Sequence, residues 1–70
     1  MSMFVEMKRS DTGVSELVNL STVISIRQVS SDASIEVIDL NLINEGFVRF
    51  CGKSYRQIHA LLLKFNLMRL

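Results

Sequence analysis

The stretch FVRFCGKSYRQIHALLLKF, residues 47–65, decides the fold. Its first five residues read as a strand, Gly52 and Lys53 break the pattern, and Ser54 followed three residues later by Gln57 is a capping box. In that motif each side chain satisfies a backbone N–H that a helix entrance would otherwise leave bare. From Tyr55 onward, Ile58, Leu61, Leu62 and Phe65 recur at i, i+3, i+4 and i+7, which is one apolar stripe of a helix. The spacing predicts a helix over 55–67 with that stripe laid against a sheet.

Upstream of this point the period changes from helical to two, as half-buried strands require. Turn chemistry cuts the segment into strands at about 3–8, 15–20, 23–29, 34–42 and 47–51. Met3, Val5 and Met7 face one way in the first strand, and Ser10-Asp11-Thr12-Gly13 ends it. In that turn Asp bonds its own downstream backbone and Gly accepts a positive φ. Ile24 and Ile26 alternate with Ser25 and Arg27 in the third. The fourth changes phase, with Ile35 and Val37 on one face and Ile38, Leu40 and Leu42 on the other, so either a β-bulge near Val37 absorbs the slip or the strand is buried on both faces. The reading is an α+β fold over residues 1–70 as a single domain: an antiparallel four- to five-stranded β-meander with one C-terminal α-helix packed on the sheet.

Seventy residues bury little surface, so such a domain needs reinforcement. A lone Cys51 forms no intramolecular disulfide, and one Cys with one His is a poor donor set for a closed zinc site. No metal or cofactor is expected, which leaves self-association. No catalytic residues are expected either. Cys51 and His59 invite a cysteine–histidine reading, but His59 sits about 100° from Ile58 on the flank of the helix, and a packed thiol with a solvated histidine is the simpler account. Gly13, Gly46 and Gly52 stand singly in turns and form no phosphate loop. With Glu6 interrupting the start and no long apolar run, neither a secretory signal nor a membrane span is expected, and a cytoplasmic location is.

Charge is distributed unevenly behind a net value of +1. Residues 1–45 carry three basic and seven acidic side chains, whereas 46–70 carry five basic and none acidic. Arg49, Lys53, Arg56 and Arg69 therefore form a candidate basic contact surface. Solvation and complementing of the helix dipole, docking on an acidic protein surface, and nucleic-acid binding all remain open for it. Leu63 and Leu67, with Leu70 beyond, project about 140° to 180° from Ile58, away from the core stripe. They are either a solvated helix end or, together with Arg56 and Lys64, the interface for a second copy or a partner. Covering ~300 Å² of apolar surface there at ~25 cal/mol/Å² is worth about 7 kcal/mol before association costs.

Three segments carry a family resemblance: Phe4-Val5-Glu6-Met7, then Leu17-Val18-Asn19-Leu20-Ser21-Thr22-Val23-Ile24-Ser25-Ile26, and Lys53-Ser54-Tyr55-Arg56-Gln57-Ile58. In their order the chain resembles the FlbD-like flagellar regulatory proteins and their small bacterial and phage relatives. The resemblance implies a meander with a C-terminal helix and a non-enzymatic regulatory role. The functional expectation is a small interaction protein, of phage or mobile-element type, that self-associates and blocks or modulates a protein partner. The alternatives are a nucleic-acid-binding regulator using the basic C-terminal region and an oligomer that holds a small ligand at its interface.

Overall fold

The computed structural model describes residues 3–65. Five strands and one helix follow in order: β1 Phe4–Arg9, β2 Ser15–Asn19, β3 Val23–Gln28, β4 Val37–Leu42, β5 Gly46–Cys51 and α1 Tyr55–Lys64. All pairings are antiparallel, and the sheet order is β2-β1-β5-β4-β3. The α+β class and the five-stranded sheet with its C-terminal helix are those the sequence predicts.

The order carries a geometric demand. β2 and β3 are consecutive in the chain yet occupy opposite edges of the sheet, joined by a single 3-10 turn, Leu20–Thr22. A flat five-stranded sheet separates its outer strands by about 19 Å. The four residue steps from Asn19 to Val23 span at most about 14 Å extended, and roughly 8 Å at the 3-10 rise. The sheet must therefore curl. The turn is pinned at both ends, where Leu20 N–H donates to Met3 C=O at 3.0 Å and Ile43 N–H donates to Thr22 C=O at 3.0 Å. Asn19 caps it by accepting from Ser21 N–H.

The concave side holds the core: Met7, Val18, Leu20, Ile38, Leu40, Leu42, Val48 and Phe50 from the sheet and turn, with Ile58 and Leu62 from α1. Tyr55, Leu61 and Phe65 pack at its margin. The capping box forms as expected, with Ser54 Oγ accepting from Gln57 N–H at 3.2 Å and Gln57 Oε1 accepting from Ser54 N–H at 2.9 Å. Gly52, at φ +98°, makes the turn out of β5 that a side chain would strain.

Two details depart from the sequence reading. β4 starts at Val37, because Asp32 takes over the residues before it: its carboxylate accepts from Ser34 N–H at 2.9 Å and Ser34 Oγ at 2.7 Å, and its carbonyl accepts from Ile35 N–H. Such local bonds compete with a strand ladder, so Ile35 is left exposed outside the sheet and a bulge near Val37 is not needed. The irregularity falls instead on β3, between Val23 and Ser25. Ile24 is the extra residue there and stands 62% exposed, while Val23 and Ile26 turn toward the core. Residues 66 and 67, the expected last turn of the helix, lie outside the described residues.

Phe50→Ala, at a fully buried position, should cost about 3–5 kcal/mol and Ser54→Ala about 1 kcal/mol, measured by urea denaturation. The cavity variant should lower the midpoint far more than the cap variant.

Candidate interaction surfaces

Ile58 and Leu62 turn one side of α1 into the core, which leaves Arg56, Ala60 and Leu63 on the opposite side at i, i+4 and i+7. All three are exposed, and Leu63 is 56% accessible. Lys64 flanks them, with Nζ 5.9 Å from the centre of the Phe65 ring. Of the expected interface, Leu63, Arg56 and Lys64 are thus outward-facing. Leu67 and Leu70, expected in the same interface, and Arg69, expected in the basic contact surface, lie outside the described residues. Beside the helix, Val5, Leu20, Leu61 and Phe65 line a groove of about 410 Å³, whose rim is completed by Phe4, Lys53 and Gln57.

The convex face of the sheet carries a feature absent from the sequence reading. Asp39 on β4 stands directly opposite Arg27 on β3 and Arg49 on β5. Arg49 grips the carboxylate with two bonds, Nε donating to Oδ1 at 2.9 Å and Nη2 to Oδ2 at 3.3 Å. Arg27 Nε approaches Oδ2 at 3.5 Å, and its guanidinium lies 3.9 Å above the Phe47 ring. Asp39 is buried, whereas both arginine side chains are more than half exposed. The hydrogen bond from Arg49 holds the Asp39 carboxyl below its ordinary range, assisted by the charges of Arg49 and Arg27 and opposed by burial.

An open basin of about 820 Å³ adjoins this ladder. Arg9 forms its other wall, forked onto Asp11 at 3.2 and 3.3 Å and reaching Glu45 at 3.5 Å. Three arginines thus meet three carboxylates, and the basin carries no large excess of either sign.

The candidate basic residues are consequently dispersed. Arg49 lies on the convex face and is committed to Asp39. Lys53 lies half-buried before the helix, and Arg56 is exposed on its first turn. Cys51, a free thiol, has its Sγ 3.1 Å from Ser10 Oγ. His59 stacks on Tyr55 with ring centres 5.9 Å apart, and no hydrogen bond joins Cys51 and His59 among the described residues. Among those residues no group of three His, Cys, Asp or Glu side chains is arranged to hold a metal ion, and no helix is long and apolar enough to cross a membrane.

No protein-family model, curated protein or solved structure matches this chain. The resemblance to FlbD-like proteins therefore stands on its three sequence segments alone.

Because the native Asp39 pKa is depressed, its contribution to stability is complete above the unfolded carboxylate value of about 3.9 and is lost as pH falls through the lower native value. An NMR titration of the Asp39 carboxyl should give a midpoint below the ordinary aspartate value of about 3.9. Asp39→Asn should flatten the acid limb of the stability curve.

Proposed function

We propose that the chain is a small non-enzymatic interaction protein that self-associates and acts by occupying the surface of a protein partner. The outer face of α1 carries this reading. A domain of this size gains more from burying an exposed leucine than from solvating it, and Leu63 ends the exposed stripe that begins at Arg56, with Lys64 beside it. An apolar centre with a basic rim suits a partner patch of apolar residues rimmed by carboxylates, where the charges set orientation and encounter rate while the leucine supplies contact area.

The same surface argues against polynucleotide binding as the main activity. Phosphate recognition draws on several uncommitted cations along one face, and Arg49 is held by Asp39 on the face opposite the helix.

Sedimentation velocity across a micromolar-to-millimolar range should show concentration-dependent association of the wild-type chain. Leu63→Glu should leave the unfolding midpoint nearly unchanged, as expected of an exposed site, yet diminish binding of the helix face to its protein partner. A chain monomeric throughout, together with steep salt-dependent binding to single-stranded DNA or RNA at low ionic strength, would sink the reading.

A further inference from the structure

Self-association, the part of that reading on which this inference rests, needs a surface with the symmetry to support it. The two edges of the sheet are not equivalent. β3 has an irregular register at Ile24 and lies against α1, both devices that discourage pairing with another strand. β2, reading Ser15-Glu16-Leu17-Val18-Asn19, holds an unbroken register with β1 and contains no lysine, proline or bulge; its single charge is Glu16, opposite Met7.

The bonds flanking the β1–β2 ladder show which backbone groups of β2 are free. Arg9 N–H donates to Val14 C=O and Leu20 N–H donates to Met3 C=O, both at 3.0 Å. In this ladder Met7 stands opposite Glu16 and Val5 opposite Val18. Antiparallel strands alternate bonded and non-bonded pairs, so residues 14, 16, 18 and 20 spend their peptide groups on β1. Ser15, Leu17 and Asn19 point theirs away from the sheet. Among the described residues the Leu17 N–H and C=O, the Ser15 C=O and the Asn19 N–H meet no backbone partner, while Thr22 Oγ1 already donates to Asn19 C=O at 2.7 Å.

We infer that β2 is a homodimerisation edge, pairing antiparallel with β2 of a second copy about a two-fold axis through Leu17. That register places Leu17 opposite its own copy and Ser15 opposite Asn19. Leu17 N–H and C=O exchange two bonds across the axis, and each Asn19 N–H donates to the Ser15 carbonyl of the other copy, for about four bonds in all. The side chains agree with the backbone. Leu17 is 67% exposed and lies on the convex face beside Glu6, with exposed Phe4 diagonal to it on the same face. The axis brings the two leucines together as a cross-strand apolar pair with the phenylalanines beyond. No like charges meet directly, because Glu16 falls opposite Val18 of the other copy. The product is a ten-stranded sheet closed by symmetry, so it does not propagate.

The free N–H of Leu17 makes the test specific. Leu17→Pro removes a donor that β1 does not use, and proline is tolerated on a strand whose N–H faces outward. The inference predicts dimers that weaken by about ten- to a hundredfold in Leu17→Pro, as expected from the loss of two backbone bonds, one from each copy. The dimers should persist in Leu63→Glu. Circular dichroism checks the fold, and should the proline variant not fold, Leu17→Lys decides by placing like charges at the axis. Amide exchange gives an independent readout: protection of Leu17 and Asn19 should rise with concentration, while Glu16 and Val18 stay protected at every concentration. A dimer kept by the Leu17 variants and lost in Leu63→Glu overturns the edge and leaves the helix reading standing. Exchange at Leu17 that ignores concentration also overturns the edge, and a wild-type monomer at all concentrations overturns both.

Discussion

Asn19 and Val23 stand on opposite edges of a five-stranded sheet, and the single 3-10 turn between them constrains almost everything else. So short a link forbids a flat sheet. Once the sheet curls, its concave side becomes a cup deep enough for eight side chains from the sheet and turn, and two from the helix complete the core. Leu20 belongs to both features, since it begins the turn and is itself buried in the core. The connection and the core are therefore one structural commitment, which explains how so short a chain gathers a contiguous interior without a disulfide.

The convex face is organised by a different interaction. Asp39 lies between two arginines on neighbouring strands, and the pair tolerates its burial because the carboxylate is bonded and its charge is met twice. This arrangement ties β3, β4 and β5 together on the side away from the hydrophobic core. It also redirects the chemistry of the basic residues, since an arginine held by a buried carboxylate is less available to an external phosphate. What remains outward-facing among the described residues divides into the helix face carrying Leu63 and the unpaired edge of β2.

The helix was legible in the sequence because its signals are local. A capping box and an i, i+3, i+4, i+7 stripe depend on residues within one or two turns of one another, and the structure realises both. The strands were legible by their alternation, but their ends were not. Asp32 competes with the start of β4 through bonds to Ser34, and Ile24 follows the alternation of a core residue while being the one that the irregularity in β3 leaves outside. The Arg27–Asp39–Arg49 ladder gave almost no signal. Asp39 interrupts an apolar run, which marks it as unusual, but naming its partners requires knowing that three strands adjoin and in which register.

Sequence by itself determined the class of elements, the helix entrance, the composition of the core stripe and the outward position of Leu63, because each follows from periodicity along a short segment. Tertiary structure alone decided the strand order, the face on which Arg49 lies, and which strands form the edges of the sheet. Those depend on pairings between segments distant in the chain, where no local preference selects one neighbour over another until the short turn at Leu20–Thr22 forces the sheet to curl.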